Sequence, residues 1–351
     1  GRALINVLPL DEGETITTMM PLPEDEETWG QLFVMFATAS GGVRRNTLAD
    51  FSNVMANGKI AMKLKEGDKL IRVRTCTEDD DILLSARSGK CIRFPVTAVR
   101  VFSGRTSTGV RGIKLAKGDE VIAMSALSHV KVEVEERDKY LQAVNASRRL
   151  VGGDYTDRAE DKARDEELAA KLEQEKFVAM AEAEEFILTI AVDGLGKRTS
   201  AYEYRIAGRG GQGIANIDVS RGKKKTNVTA SFTVIDTDQI VMVADSGQII
   251  RCPIDKVSIV GRSSRGVTIF NTADEEQVVS VSRLRDVNGD DDDEEEGMVD
   301  AEDGNDSETA EASPPPQDEP ETGDDDAEEP GEDDAEEPGE DDAEEPGEET
   351  P

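Results

Sequence analysis

Asp245-Ser246-Gly247-Gln248-Ile249-Ile250-Arg251 is a glycine-centred turn that joins two short apolar runs and ends on a basic residue. Similar turns occur at three other places, each inside a segment of about fifty residues: Ser40–Arg45, Arg87–Arg93 and Val192–Arg198. A repeat of this length is typical of proteins that stack copies of one small unit. Val- and Ile-rich runs bounded by Gly, Asp and Ser turns are typical of β-strands. We therefore predict four copies of an all-β unit.

The spacing of the strands indicates how the copies assemble. About four strands in each full copy favour a propeller-like ring of blades, which leaves only short, protected edges. The chain begins within a copy, so we interpret it as a piece of a longer protein. The predicted strands are Gln31–Ala39, Lys59–Leu64, Leu70–Thr75, Asp81–Ala86, Cys91–Phe94, Val121–Ser125, Gln239–Ala244, Ile249–Cys252, Val267–Asn271 and Val278–Val281.

Two regions depart from the β pattern. Glu133–Leu150 and Asp157–Glu185 are rich in Ala, Glu, Lys, Arg and Leu, which predicts two helices. Residues 288–351 contain too few apolar residues to form a core, and Asp-Asp-Ala-Glu-Glu-Pro-Gly-Glu recurs from Asp325 to Glu348, which predicts a disordered acidic tail. The predicted domains are β-blades in 1–132, the first one incomplete, a helical insertion in 133–185, further blades in 186–287, and the tail in 288–351.

The formal net charge of −35 is distributed unevenly. Residues 288–351 hold 33 Asp or Glu and no Lys or Arg, whereas the two β regions hold 32 Lys or Arg against 27 Asp or Glu. Such asymmetry indicates a nucleic-acid surface or a regulatory tail. A tethered polyanion has a high effective concentration at a basic surface, so we also expect residues 288–351 to compete with DNA.

The composition excludes several classes of protein. Cys76, Cys91 and Cys252 have no CxxC spacing, which argues against a disulfide framework or a zinc site. No apolar run is long enough to span a membrane, and no signal peptide is recognisable. His129 is the single histidine and has no catalytic partner beside it. We interpret Asp79–Asp81 as a solvated turn, and predict neither catalytic residues nor metal ligands nor a cofactor in this chain.

The cations recur in register with the repeats, which predicts a basic belt that follows a phosphate backbone. Neighbouring Gly and Ser residues allow backbone amides to approach phosphates too. No recognition helix or aromatic platform accompanies the cations, so we expect little reading of base sequence. The predicted DNA contacts are Arg44, Arg45, Lys90, Arg93, Lys197, Arg198 and Arg251 after the turns; Lys59, Lys63, Arg105, Arg111, Lys114, Arg209, Arg262 and Arg265 in the following loops; and Lys223, Lys224 and Lys225.

Five stretches resemble the C-terminal domains of DNA gyrase A proteins, in that family's order and spacing. The resemblance covers roughly residues 1–287 apart from the insertion. It implies a β-pinwheel, a propeller-like disc whose blades exchange strands and which wraps duplex DNA around a basic rim. The stretches are Gly1–Leu10, Gly58–Leu64, Thr108–Leu115, Gly194–Glu203 and Ser258–Arg262.

The same resemblance implies a larger assembly. Two gyrase A and two gyrase B proteins would form an ATP-dependent type II topoisomerase in the bacterial cytoplasm, with ATP and Mg²⁺ bound elsewhere in the holoenzyme. The family's catalytic tyrosine and its heptapeptide box, Gln-Arg-Arg-Gly-Gly-Lys-Gly, are expected upstream of Gly1. Ala207–Gly213 matches that box at four of seven positions and is interpreted as a degenerate copy.

Two alternatives stay open from the sequence. The matching protein of topoisomerase IV shares the pinwheel but wraps DNA little. A propeller that binds proteins, with the acidic tail as a charge mimic, would show an apolar disc face and no affinity for DNA at moderate salt.

Overall fold

The computed structural model describes residues 16–53, 58–150, 174–220, 226–273 and 275–285. Strands dominate these ranges, and two α-helices lie between the second and third groups of strands. The strands are β1 (Phe33–Thr38), β2 (Gly42–Thr47), β3 (Leu70–Cys76), β4 (Asp80–Ala86), β5 (Lys90–Pro95), β6 (Val110–Arg111), β7 (Val121–Ser128), β8 (Phe186–Ala191), β9 (Leu195–Ser200), β10 (Ile214–Ala215), β11 (Val228–Val234), β12 (Gln239–Ala244), β13 (Ile249–Pro253), β14 (Val267–Thr268) and β15 (Val278–Leu284); the helices are α1 (Val134–Leu150) and α2 (Gln174–Glu182).

The strands form four antiparallel sheets that share strands between successive copies. Their orders are β3-β1-β2-β6, β10-β5-β4-β7, β11-β8-β9-β14 and β13-β12-β15. In the first three sheets the outermost strand is supplied by the next copy along the chain: β6, β10 and β14. We call these three the exchange strands, and the segments before them the exchange loops: Val101–Gly109, Ile206–Gly213 and Ile259–Gly266.

The sheets meet along one edge. The end strands β3, β7, β11 and β15 contact one another in that order, so they form an inner edge common to all four sheets. In each of the first three sheets the exchange strand lies at the opposite side, which we call the outer edge. This arrangement confirms the all-β, propeller-like prediction, and the exchanged strands confirm the pinwheel that the resemblance implied.

Hydrophobic cores lie between neighbouring sheets. Met35 and Val43 from the first sheet pack with Leu84 and Phe94 from the second, and Ile113 joins them from just beyond β6. Burying side chains of this size contributes roughly 1.5–3 kcal/mol each. β6 therefore pairs with a strand of the first sheet, while Ile113, just beyond it, packs in the core between the first and second sheets.

Glycines make the strand exchange possible. Gly109, Gly213 and Gly266 precede the exchange strands with φ of +80°, +73° and +88°, where L side chains are strained. A Cβ at any of them would lie closer than 3.0 Å to a carbonyl oxygen of the strand it pairs with, in Val43, Cys91 or Gly196 respectively. Only glycine lets the incoming chain approach this closely.

The strand predictions were correct for most segments and wrong for one. Lys59–Leu64 has the sequence pattern of an exchange strand but makes no strand pairing in the part of the chain that the structure describes. Val267–Asn271 shortens to Val267–Thr268, because pairing with β9 covers only those two residues. β2, β6, β8, β9, β10 and β11 were not among the predicted strands; β2 was missed since its interior is polar, with Arg44, Arg45 and Asn46.

The helices pack on the third sheet through aromatic side chains. The Tyr140 and Tyr202 ring centroids are 5.3 Å apart, and the Tyr202 hydroxyl donates to the Met180 carbonyl at 3.0 Å. The helix predicted over Glu133–Leu150 is confirmed. Within the one predicted over Asp157–Glu185, Gln174–Glu182 is helical, and residues 157–173 lie outside the described residues, as do 1–15 and the predicted tail at 288–351.

Candidate nucleic-acid interface

Five of the predicted contacts are buried, so their assignment to an exposed basic belt is wrong. Arg44, Arg45, Arg93, Lys197 and Arg198 are 0%, 4%, 5%, 0% and 6% exposed. Their regular spacing has a structural cause. Each lies on a strand that pairs with an exchange strand: β2, β5 or β9.

Three of these arginines occupy one repeated position. Arg45, Arg93 and Arg198 each stand four residues after a turn glycine and bridge, in parallel, to Val101, Ile206 and Ile259, the first residues of the exchange loops. Two of the guanidinium groups donate to backbone carbonyls that precede these loops: Arg93 Nη1 to Ala201 O at 2.8 Å and Arg198 Nε to Val257 O at 2.7 Å. Arg45 Nη1 instead contacts Glu78 Oε1 at 3.4 Å. Main-chain bridges thus hold the start of each exchange loop, and the three arginine side chains are buried beside them.

Arg44 and Lys197 each stand one residue before the arginines just described, and their side chains donate hydrogen bonds to residues of the exchange loops. Arg44 Nη1 donates to the carbonyl and hydroxyl of Ser107, and Lys197 Nζ donates to the carbonyls of Gly261 and Arg262. Burial lowers the pKa of Lys197 from 10.5 to about 7. In the second sheet the same position is Ile92, which is buried in the apolar core.

The exchange loops, together with β6 and the residues just beyond it, carry a second set of cations at the outer edge. Each loop contains a Gly-Arg pair: Gly104-Arg105, Gly208-Arg209 and Gly261-Arg262. Arg111, Lys114 and Arg209 are exposed, whereas Arg105, Arg262 and Arg265 are half-buried. Arg265 Nη2 donates to Asp193 Oδ2 at 2.9 Å, so part of its charge is compensated.

Hydrogen bonds join the exchange loops to the exchange strands of neighbouring copies, so that together they form a continuous row. Arg209 Nη1 donates to Arg111 O at 3.1 Å, the Lys114 amide donates to Gly211 O at 2.8 Å, and Arg262 Nη1 donates to Ala215 O. The second and third exchange loops thus rest on, respectively, the first exchange strand with the residues just after it, and the second exchange strand. The Gly-Arg pairs of successive copies are held in sequence along one edge.

The remaining predicted contacts are scattered around this row. Lys63 is exposed beside the first exchange loop, where its amide donates to Ser107 O at 3.3 Å, and Lys59 Nζ donates to Asp50 O at 2.8 Å. Lys90 is exposed opposite Ala215 of β10. Arg251 occupies the same position as Arg93 but is exposed, because β13 receives no exchange strand in the part of the chain the structure describes. Lys223–Lys225 lie outside the described residues.

Two exposed arginines at the row escaped the sequence analysis. Arg100 and Arg205 immediately precede the exchange loops, and the Arg100 guanidinium lies 4.1 Å from the Phe102 ring centroid. A sequence pattern could have identified them: an arginine followed directly by Val or Ile stands a few residues before each of the first two Gly-Arg pairs. Its importance depends on the exchange topology, which the repeats alone do not show.

Other groups considered in the sequence have structural roles. Asp81 was predicted in a solvated turn, but it is fully buried and accepts from Arg93 Nε and faces His129 Nδ1, both at 2.8 Å. Cys76, Cys91 and Cys252 are free, and burial raises the thiol pKa of Cys76 and Cys91 to about 12. Within the described ranges no cluster of three potential metal-binding side chains occurs, and no helix is long and apolar enough to cross a membrane.

Solved structures resemble this arrangement. The C-terminal domain of DNA topoisomerase IV matches with a TM-score of 0.59 and 16% identity, covering 81% of this chain and 71% of that one. The DNA gyrase A C-terminal domain matches with a TM-score of 0.56 and 20% identity, covering 81% and 75%. At these identities the likeness concerns the fold.

Sequence relatives are more similar. The DNA gyrase A protein of Granulibacter bethesdensis is 50% identical over 303 residues, which cover 83% of this chain and 32% of that protein. The DNA gyrase A protein of Rickettsia bellii is 45% identical over 299 residues, covering 84% and 32%. The chain therefore spans about a third of the length of these curated relatives.

A family model assigns the repeats directly. The model described as DNA gyrase C-terminal domain, beta-propeller, matches residues 33–77, 80–128, 185–223 and 238–285. These four segments make up more than half of the chain, and each contains one of the four turns. The chain belongs to the family of DNA gyrase C-terminal domains.

Proposed function

We propose that this chain binds duplex DNA along its outer edge and wraps it, as part of a DNA gyrase A protein. The observation that carries the proposal is the continuous row of exposed cations on the interlocked exchange loops. Arginines and lysines spaced along one edge neutralise successive phosphates and release counterions. The glycines beside them bring backbone amides close enough to donate to phosphate oxygens. Base readout is expected to be weak, since the row contains no element that enters a groove.

A salt titration tests the row. We would measure duplex binding by fluorescence anisotropy at several salt concentrations for the full chain and for Arg111→Gln/Lys114→Gln/Arg209→Gln. Each lost phosphate contact lowers the slope of log affinity against log salt by about one, so the triple variant should lose roughly three. The matched control, Lys131→Gln/Lys139→Gln/Lys176→Gln, removes the same charge near or within the helices. Equal slopes for the two variants would overturn the assignment.

Wrapping needs its own measurement. A nicked plasmid would be sealed by ligase in the presence of the chain, and the linking number read on a gel. A shift that grows with protein concentration supports chiral wrapping. Binding without a shift would instead favour a topoisomerase IV-like role, and absence of binding at moderate salt would favour the protein-binding scaffold.

The DNA gyrase A relatives support a proposal for the role of the whole protein. We propose that the chain works in the bacterial cytoplasm within an assembly of two gyrase A and two gyrase B proteins, which uses ATP and Mg²⁺ bound outside this chain, and whose catalytic tyrosine also lies outside it. Substituting this chain for the C-terminal third of a relative's gyrase A protein, in the presence of that relative's gyrase B protein, should sustain ATP-dependent negative supercoiling. Relaxation without supercoiling would contradict the proposal.

A further inference from the structure

A cavity of about 380 Å³ lies between the chain entering α1, the segment that follows β9 and the beginning of the second exchange loop. Cavities that bind small molecules begin at about this size and are lined mainly by apolar and aromatic side chains, with a few polar groups that orient the ligand. The apolar lining here is formed by Val130, Val132, Val134, Tyr202, Tyr204 and Ile206. The cavity therefore has the size and the lining of a small-molecule site.

The aromatic wall of the cavity is held in place by contacts within the protein. The Tyr202 ring packs on Tyr140 with centroids 5.3 Å apart, and its hydroxyl donates to the Met180 carbonyl at 3.0 Å. The Tyr204 hydroxyl donates to Asn216 Oδ1 at 2.7 Å. Because both hydroxyl groups are engaged elsewhere, the two tyrosines offer a ligand their ring surfaces.

Three arginines supply the charge of the cavity, and no carboxylate occurs among the described residues that line it. Arg93 is neutralised by Asp81, whose Oδ2 lies 2.8 Å from Arg93 Nη2. Arg137 donates from Nε and Nη2 to Asp138 Oδ1 at 3.1 and 2.8 Å. Arg205 is exposed, and its guanidinium makes no hydrogen bond or ion pair with another residue of the described ranges. An anion in the cavity would therefore find an available partner in Arg205.

The apolar surface beside Arg205 is open to solvent. Val134 is 62% exposed and Ile206 is 43% exposed, although both line the cavity. Covering such surface is favourable by about 25 cal/mol for each Å² that is removed from water. Ile206 directly follows Arg205 and is fixed by its backbone bridge to Arg93. The structure thus holds exposed apolar surface and an unpaired cation at the same cavity.

We propose that this cavity binds a small compound that combines aromatic rings with one anionic group, such as a carboxylate or a sulfonate. The rings would pack against the valines and the two tyrosines, and the anion would accept from the Arg205 guanidinium. Hydrogen bonds between a guanidinium and an anion are charge-assisted and are among the strong ones. A cationic compound of the same shape would meet three arginines, so the site selects for negative charge.

Fluorescence titration with anilinonaphthalene sulfonate tests the site in the full chain. The titration contains no DNA, so its result is independent of the proposed function. We expect saturable binding of one probe per chain. Arg205→Gln should weaken that binding by about fivefold or more, because a charge-assisted contact is lost. The matched control Arg100→Gln changes the exposed arginine that precedes the first exchange loop, and its affinity should stay within about twofold of the unchanged chain.

A neutral probe separates the contribution of charge from that of apolar contact. Phenylnaphthylamine has the same rings without the sulfonate, so it should bind more weakly, and Arg205→Gln should leave its affinity unchanged. Val134→Asn should weaken the binding of both probes, because it removes apolar lining. The matched control Val178→Asn changes a valine of α2 that is 47% exposed and does not line the cavity, and it should weaken neither.

Thermal unfolding controls for folding. The four substitutions alter exposed side chains, so the midpoint without a probe should be unchanged. The sulfonate should raise the midpoint of the unchanged chain and of the two controls by more than that of Arg205→Gln or Val134→Asn. No saturable binding at millimolar probe, equal losses in a variant and its control, or equal affinity for the charged and neutral probes would each overturn the proposal.

Discussion

Arg93 and Asp81 form an ion pair that is almost completely removed from solvent, with Arg93 Nε 2.8 Å from Asp81 Oδ2 and exposures of 5% and 0%. The pair also connects sheets, because Arg93 Nη1 donates to Ala201 O just beyond β9 while Asp81 begins the apolar part of β4. His129 Nδ1 lies 2.8 Å from Asp81 Oδ1, the other oxygen of the same carboxylate. An arginine that the repeat pattern offered as a DNA contact is thus part of the protein's interior.

Removing this arginine should destabilise the fold. Arg93→Gln leaves the Asp81 carboxylate buried without its main partner, which typically costs about 3–5 kcal/mol. Urea unfolding of the variant and the unchanged chain gives the difference in free energy of unfolding. The control Arg111→Gln changes an exposed arginine and should cost less than about 1 kcal/mol. Similar small losses in both would show that the buried pair is not formed.

Stability should depend on pH through Lys197. Its pKa in the folded protein is about 7, well below the 10.5 of an exposed lysine, because burial penalises the charged form. Between these values the unfolded chain binds more protons than the folded one, so the free energy of unfolding should rise as pH increases from about 7 towards 10.

Lys197→Met removes the titrating group and should flatten that rise. Thermal unfolding at a series of pH values measures it, and Lys114→Met, at an exposed lysine, should keep the slope of the unchanged chain. A rise of equal size in Lys197→Met would assign the pH dependence to another group.

The approach of the exchange loops should be sensitive to one added methyl group. Gly213→Ala places a Cβ against the Cys91 carbonyl and also imposes strain at a φ of +73°. Gly118→Ala imposes the same kind of strain at a φ of +79°, but its Cβ would have nothing within 4 Å. Strain of this kind costs about 1–3 kcal/mol, so Gly118→Ala isolates that cost.

In urea unfolding, Gly213→Ala should lower the free energy of unfolding by more than Gly118→Ala does. Unlike Gly118→Ala, it should also weaken binding to duplex DNA, because it displaces Arg209. Equal stability and equal DNA affinity of the two variants would contradict the close approach of the exchange loop to β5.

Deleting residues 288–351 should tighten DNA binding, because it removes 33 acidic residues and no basic ones. Anisotropy at low and moderate salt compares the two chains, and the difference should shrink as salt screens the charges. A control that replaces the deleted acids by Ser and Gln at the same length separates charge from length. Unchanged or weaker binding after the deletion would remove the competition hypothesis.

The strands that the sequence predicted correctly are those that depend on local pattern. β4, β12 and β15 are apolar runs between turn residues, and that information lies within a few neighbours. The fate of the cations depends on distant partners instead. Arg93 and Arg209 both follow glycine-rich turns, yet Arg93 is buried by Ala201, which is 108 residues away, while Arg209 remains exposed. Periodicity shows that a position repeats and does not show which side of a sheet receives the next copy.

Lys59–Leu64 shows the same limit. It shares the pattern of Val110–Lys114, and in each case the decisive feature is whether a preceding sheet offers an open edge. β6 pairs with β2, whereas Lys59–Leu64 pairs with no strand in the described chain. Local propensity determines which residues can be extended, and only the tertiary arrangement determines which of them pair.

The exchange strands make the structural unit different from the sequence repeat. A single copy cut out of the chain, such as residues 80–128, would contain β6 without β2 and would lack β10, so its sheet would have an open outer edge. A deletion from one exchange strand to the next, such as Gly109 to Gly213, would return every remaining sheet a complete set of strands. Removing a whole period from within the chain is therefore expected to be tolerated, whereas an isolated copy is not expected to form its complete sheet.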